Sequence, residues 1–225
     1  MPAAKGLVTV WLHVPPEREE EFNAWYNLQH IAQVVNIPGF TAARRYAADG
    51  QVPKYLAWYE AVDEHVEPGP GFTQIVQHPT PWSLRIRRFY GENRFRNNYR
   101  MVSSFGTVPT PDAAWLYTVQ ADCADPAQLA EFNDWYDAYH VPECLKVPGF
   151  KSCQRFKLTA STNDRPRQAY LALYELEGDD PKALLQDLEA TRSDRTQNAA
   201  FDRESVSLWV FSPIAEKQHS HESDD

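Results

Sequence analysis

The phrase EFNAWYNLQH at residues 21–30 returns 110 positions later as EFNDWYDAYH at residues 131–140. Extended to the end of the motif, residues 21–40 and 131–150 are identical at 9 of 20 positions. The match resumes in YLAWYEA (55–61) against YLALYEL (170–176), and in RRYA (44–47) against QRFK (154–157). A period of about 100 residues is too long for a solenoid and suits a small domain. Two copies of one pattern must reach like folds, so this chain of 225 residues is expected to build two like units by tandem duplication.

Each copy reads as the same succession of elements. In the first, the alternating LVTVWLHV (7–14) predicts a strand, EREEEFNAWYNLQHIAQVVN (17–36) a helix stopped by Pro38-Gly39, and FTAARRYA (40–47) a second strand. KYLAWYEAV (54–62) is a third strand, the stretches around FTQIV and PWSLRIRRF are helical, and NYRMVSSFG (98–106) is a fourth strand. The second copy gives AAWLYTVQA, a helix over 126–139, FKSCQRFKLT, AYLALYELE, a helix over 181–193 and ESVSLWVFS. The order β-α-β-β-α-β is that of the ferredoxin-like split βαβ unit. Such a sheet has helices on one face, and a second copy is the simplest cover for the other. The expected fold class is therefore α+β, with two tandem ferredoxin-like units packed sheet to sheet as a pseudo-symmetric α+β barrel. Residues 1–108 form the first half and 109–215 the second, joined by GTVPTPDAA (106–114), with 216–225 a polar, flexible tail.

The pattern EFNxWYxxxHxxxxxxxPGFxxxxR resembles the dimeric α+β barrel superfamily, particularly its EthD-like members. It is carried by Glu21, Phe22, Asn23, Trp25, Tyr26, His30, Pro38, Gly39, Phe40 and Arg45, and again by Glu131, Phe132, Asn133, Trp135, Tyr136, His140, Pro148, Gly149, Phe150 and Arg155. The resemblance implies a small-molecule pocket between the helices and the outer sheet face of each unit. It spans cofactor-free monooxygenases, cyclases and dehydratases, lactone isomerases and haem proteins. Fusing two units in one chain departs from the usual homodimer and leaves the two pockets free to differ.

Composition and charge narrow the partners. No stretch approaches the ~18 apolar residues of a membrane span, and MPAAKGLVTV lacks the basic start and apolar centre of a signal peptide. A soluble cytoplasmic protein without a membrane partner is expected. The three cysteines, Cys123, Cys144 and Cys153, have no ligand spacing, so disulfides and structural zinc are not expected. Through residue 110 there are 11 basic and 10 acidic residues, against 11 and 21 after it, for a net charge of −9. That excess of acid argues against nucleic acid. A local cluster of Arg85, Arg87, Arg88, Arg94, Arg96 and Arg100 reads as a solvated helix end, although its forks also suit a carboxylate or phosphate.

The chemistry-bearing candidates sit on the repeated phrase. Phe22, Tyr26 and His30 form a drifting stripe at i, i+4 and i+8. Core packing is the default for Phe22, Phe132, Trp25 and Trp135. His30 and His140 can exchange protons near neutrality, and Tyr26 and Tyr136 one turn away can donate to an oxyanion. In LVTVWLHV the apolar face Val8, Val10, Leu12 and Val14 is assigned to the barrel interior, which turns Thr9, Trp11 and His13 toward the helices. At the 110-residue offset these become Val119, Ala121 and Cys123, a drier pocket, so the first copy is expected to hold the principal site. The catalytic candidates are His30, Tyr26, His13, His140 and Tyr136, with Trp11, Trp25, Asn23, Tyr59 and Arg45 binding substrate. Arg45 and Arg155 read otherwise as surface ion pairs. His65, His78, His219 and His221 form no metal pattern, and the absence of GxGxxG, GxxxxGK[ST] and GxSxG leaves no dinucleotide, P-loop or serine-hydrolase reading.

These residues suit a cofactor-independent acid-base enzyme, an isomerase, dehydratase, cyclase or lyase, acting on a small hydrophobic or aromatic carbonyl compound. The alternatives are a haem- or oxygen-dependent enzyme of the same fold and a non-catalytic small-molecule-binding protein. No cofactor and no metal are expected, and the assembly is read as a monomeric pseudo-dimer or a homo-oligomer.

Overall fold

A computed structural model describes residues 5–67, 69–89, 94–108, 113, 115–162, 168–191 and 198–220. It has a mixed α+β fold in two compact units: Met1–Arg100 with Thr159–Arg165 and Pro213–Asp225, and Met101–Leu158 with Pro166–Ser212.

The first unit contains β1 (Gly6–Leu12), α1 (Glu19–Trp25), α2 (Ile31–Val35), β2 (Phe40–Ala47), β3 (Tyr55–Ala61), α3 (Pro70–Gln77), α4 (Pro81–Ile86) and the start of β4 (Phe95–Gly106). β1 lies between β3 and β4, and β3 lies between β1 and β2, all antiparallel. The strand order is therefore β4-β1-β3-β2. The second unit contains β5 (Trp115–Cys123), α5 (Leu129–Trp135), α6 (Val141–Cys144), β6 (Phe150–Ser161), β7 (Tyr170–Leu176), α7 (Pro181–Ala190) and β8 (Phe201–Pro213). Its order, β8-β5-β7-β6, is the same one. Both are ferredoxin-like, as the succession of periodicities predicts.

The helix expected to be continuous over 17–36 is interrupted. After a 3-10 turn at Pro16–Arg18, α1 gives way at Tyr26–His30 to a π turn, in which the Ile31 N–H bonds to the Tyr26 carbonyl five residues back. The second copy repeats it at Tyr136–His140, with Val141 bonded to Tyr136. π turns interrupt α-helices as single widened turns and recur at functional sites. The repeated phrase therefore encodes a local distortion as well as a packing face. Pro16 and Pro126 sit in the first helical turn, where a missing N–H costs nothing. Gly39 and Gly149 carry φ of 97° and 92°, the left-handed turn that leads into β2 and β6.

Beneath the helices, Phe22 and Phe132 are fully buried and anchor the two cores, joined by Phe40, Tyr59 and Ile31 in one and Phe150, Tyr174 and Val141 in the other. Residues 217–220 of the expected flexible tail are held against β2 and β3. Gln218–His219 form a short strand, β9, on Ala42–Ala43, Lys217 Nζ pairs with Glu60, and the Ser220 N–H bonds the Thr41 carbonyl. Backbone groups on β2 find partners there that solvent would otherwise have to supply. Residues 221–225, and 109–112 and 114 of the expected linker, lie outside the described residues.

A fragment ending at residue 108 loses β9 and the residues after Leu158 that bond β4, where Thr159 Oγ1 donates to the Asn98 carbonyl and Ser161 Oγ to Asn97 Oδ1. It is expected to aggregate or self-associate through its unpaired strand edges. A monomeric fragment with a cooperative melt, seen by size exclusion and circular dichroism, would contradict this.

Candidate functional site

In the first unit a cavity of about 660 Å³, counted with its open mouth, lies between the helices and the sheet. Its floor is Val8, Val10 and Leu12 of β1 and Tyr59 of β3; Trp25, Tyr26 and His30 form one wall and Phe72, Ile75 and Val76 of α3 another. The mouth carries Arg87, Arg94 and Arg96, and among the described residues no acidic side chain lines it, although Glu67 pairs with Arg96 from outside the lining.

This geometry reverses the expected orientation of β1. Val8, Val10 and Leu12 face the helices, whereas Trp11 turns away, stacked on Phe95 at 5.6 Å with its Nε1 donating to Thr9 Oγ1. Trp11 and His13 do not line the cavity. An apolar stripe suits the helix-covered face of a sheet as well as a barrel interior; the comparison with the second copy fails separately, because the helix offset does not hold in the strand. LVTV (7–10) matches LYTV (116–119) at an offset of 109, not 110, because the second copy has one more residue between strand and helix. A one-residue slip sends every side chain of a strand to the other face. Thr9 and Thr118 are accordingly equivalent, both fully buried away from their pockets.

The π turn sets the wall. Tyr26 and His30 meet edge to face at 5.0 Å, and the His30 imidazole stacks on Trp25 at 4.3 Å and 16°. Trp25 Nε1 donates to Ser83 Oγ of α4, which also accepts from Gln29 Nε2, so the wall is tied to the neighbouring helix. The Tyr59 hydroxyl donates to the Tyr26 hydroxyl at 3.1 Å. An accepted hydrogen bond strengthens Tyr26's own O–H as a donor.

His30 Nδ1 is buried with no hydrogen-bond partner among the described residues. Burial foremost, then the positive charges of Arg87, Arg45 and Arg94, push its pKa down to about 3, against a hydrogen bond with Gln33 that acts the other way. The imidazole is neutral at physiological pH. Proton exchange by His30 near neutrality, the role its residue type suggests, does not fit this environment; a neutral hydrogen-bonding ring does.

Arg45 is wholly buried rather than part of a surface ion pair. It rises from β2 under the helix, where its guanidinium donates to Asn23 Oδ1 and Asn27 Oδ1, both at 2.7 Å, and lies 4.3 Å from the Tyr26 ring centroid. Asn23 and Arg45 therefore support the wall from behind and do not line the cavity. Arg155, equally buried, donates to Asn133 and forms an ion pair with Asp137, 4.1 Å from the Tyr136 ring centroid.

The second unit's cavity, about 780 Å³ with its mouth, is lined by Tyr117 and Val119 of β5, by Tyr136, His140 and Cys144, and by Tyr174. Glu189 and Arg203 are its charged lining residues. His140 is buried, with Nε2 3.7 Å from Cys144 Sγ. Burial raises the pKa of the Tyr136 and Tyr174 hydroxyls well above the usual value. Sequence reasoning weighed the arginines at the first mouth as a solvated helix end and missed the apolar wall from α3; the spacing of Phe72, Ile75 and Val76 at i, i+3 and i+4 was the available signal. Among the described residues, no three His, Cys, Asp or Glu side chains could hold a metal ion, and no helix is long and apolar enough to cross a membrane.

No family profile matches the chain, and no curated protein matches its sequence. Solved structures match its fold over nearly its whole length. An anthrone oxidase-like protein has a TM-score of 0.62 at 9% identity, covering 96% of this chain and 93% of that one. A proposed monooxygenase from Fusobacterium nucleatum has a TM-score of 0.61 at 10% identity, covering 97% and 96%. Chlorite dismutase from Candidatus Nitrospira defluvii, solved with imidazole, has 0.59 at 9%, covering 95% and 93%. At such identities the likeness is one of fold alone, the α+β fold described above.

Proposed function

We propose that the chain is an oxygen-dependent oxidoreductase that oxidises a small aromatic compound ionising to a phenolate or enolate, using the first unit's cavity and no organic cofactor. The observation that carries this reading is the combination in one cavity of apolar and aromatic walls, a neutral histidine and a mouth lined by three arginines, of which Arg96 is paired with Glu67. It is supported by the fold likeness to an anthrone oxidase-like protein and to a proposed monooxygenase. It also retains the tandem duplication of an EthD-like unit as the origin of the two pockets, with a small aromatic compound as partner in place of a nucleic acid or a membrane.

The chain's own residues would act as follows. The guanidinium charges favour the ionised substrate over the neutral one, which lowers its pKa on binding. Tyr26, polarised by Tyr59, donates to the substrate oxygen where negative charge gathers. Val8, Val10, Leu12 and Phe72 exclude water around the carbon that is oxidised. His30 holds a neutral, oriented edge beside Tyr26. An electron-rich carbanion can pass electrons to dioxygen directly, so that a CH₂ flanked by aromatic rings and O₂ become C=O and H₂O.

The haem alternative requires an imidazole nitrogen facing a flat open slot. His30 lies flat on Trp25 and edge to face with Tyr26, its Nδ1 is buried, and His140 has Cys144 against Nε2. Neither arrangement fits a histidine that would hold haem.

The test is oxygen consumption by the purified protein with anthrone as the first probe, without added reductant. One O₂ consumed per quinone formed, and no product under argon, is the expected result. Conversion of the probe at the same rate without oxygen would return the site to isomerase or lyase chemistry.

A further inference from the structure

The helix-borne ligands of the two buried arginines differ at one position. Asn23 and Asn27 receive Arg45, whereas Asn133 and Asp137 receive Arg155. The pairs are i and i+4 on the same helical face, so the amide of Asn27 stands where the second unit has a carboxylate. Arg45 has no carboxylate partner among the described residues; amide oxygens and the rings of Tyr26, Phe22 and Tyr55 surround it. A guanidinium does not give up its proton in a protein, so a full positive charge remains under the wall of the first cavity. Its influence reaches the cavity, since Arg45 is among the charges that depress His30.

The mouths show the same asymmetry independently. In the first unit Arg96 is paired with Glu67 at 2.6 Å, but Arg87 is held on the carbonyls of Ile75 and Val76, which leave its charge in place. In the second, one arginine shares the mouth with one glutamate.

We propose that Asn27 is the specificity-determining residue of the first cavity. By withholding a carboxylate from Arg45, it makes this cavity a site for aromatic anions, while Asp137 leaves the second cavity suited to uncharged aromatic ligands. The inference rests on reading the first cavity as the aromatic binding site, but it concerns equilibrium binding and does not depend on oxygen chemistry. Asn27 touches Arg45 and lies behind the cavity wall, so it acts through that residue.

The test compares 2-naphthoate with its uncharged isostere 2-naphthamide, by calorimetry on the full chain. Wild type should bind naphthoate more tightly. Asn27→Asp, whose geometry the second unit already accommodates, should weaken naphthoate about tenfold, the order expected for one unit charge across ~10 Å at an effective dielectric near 20. Naphthamide should stay within about twofold. Asn27→Ala, which removes the amide without adding charge, should keep the preference for naphthoate and guards against misfolding of the aspartate variant. Parallel losses for both ligands in Asn27→Asp, or loss of the preference in Asn27→Ala, would overturn the proposal in favour of a structural role. Wild type binding both ligands equally overturns this inference alone; binding neither also overturns the reading of the cavity.

Discussion

Acidification from pH 7 to pH 4 is expected to destabilise the wild-type protein more than the His30→Gln variant, by about 3 kcal/mol, in urea melts monitored at both pH values. The sign follows from the depressed pKa. His30 titrates near 3 in the folded state against 6.5 for an ordinary histidine, so between those values the unfolded chain binds a proton that the folded chain does not. The neutral ring's contribution to stability is present above 6.5 and is lost as the pH falls toward 3. The limiting slope is about 1.4 kcal/mol per pH unit. Glutamine keeps a polar side chain of similar reach and has no proton to gain. Carboxylates elsewhere titrate alike in both proteins, so the difference isolates His30. Parallel stability curves would mean that the imidazole is hydrated and ordinary, and that the cavity is not the closed, cationic environment its walls describe.

The sequence carried the fold further than the site. Periods of 2 and 3.6 residues, with Pro16, Pro126, Gly39 and Gly149 as punctuation, specify helices and strands through local sterics, and doubling the pattern confirms each assignment against its copy. An apolar stripe on β1 does not say which side of the sheet it covers, and Val8, Val10 and Leu12 face the cavity. Which residues of β5 correspond to it depends on a single residue between strand and helix, which LVTV against LYTV reveals. The π turn was not legible, because an α and a π turn differ by one backbone bond and no side chain in YNLQH or YDAYH announces it.

Arg45 and Arg155 illustrate a different limit. A basic residue in an alternating strand reads as exposed, since charges are seldom buried without partners. Their burial becomes intelligible only when the paired Asn23 and Asn27, or Asn133 and Asp137, are seen to descend from the helix onto them. Those pairs were visible at i, i+4 spacing, but their target lay on another element. Local pattern thus groups Tyr26, Trp25 and His30, which share one helical face and line one cavity, whereas Trp11 and His13 do not line it.

Replacing Tyr26 by phenylalanine is expected to lower kcat for aerobic oxidation by about 10²–10³, the loss typical of one donor to a developing oxyanion, with KM changing little. Tyr136→Phe should leave turnover intact. The hydroxyl of Tyr26 is the polar atom that the π turn and Tyr59 together present beside His30, and its value lies in the transition state, where charge on the substrate oxygen is greatest. The ring itself stays, and with it the packing on Phe22 and Arg45. The stability cost should therefore be that of one buried hydrogen bond, about 1 kcal/mol, small enough to separate from a loss of catalysis by comparing melting temperature with turnover. Tyr59→Phe tests the relay: it removes the polarising donor but not Tyr26, so its kcat should fall by less than that of Tyr26→Phe. If Tyr136→Phe instead abolishes turnover while Tyr26→Phe does not, the chemistry belongs to the cavity of Tyr136, His140 and Cys144, and the cationic first cavity serves only to bind.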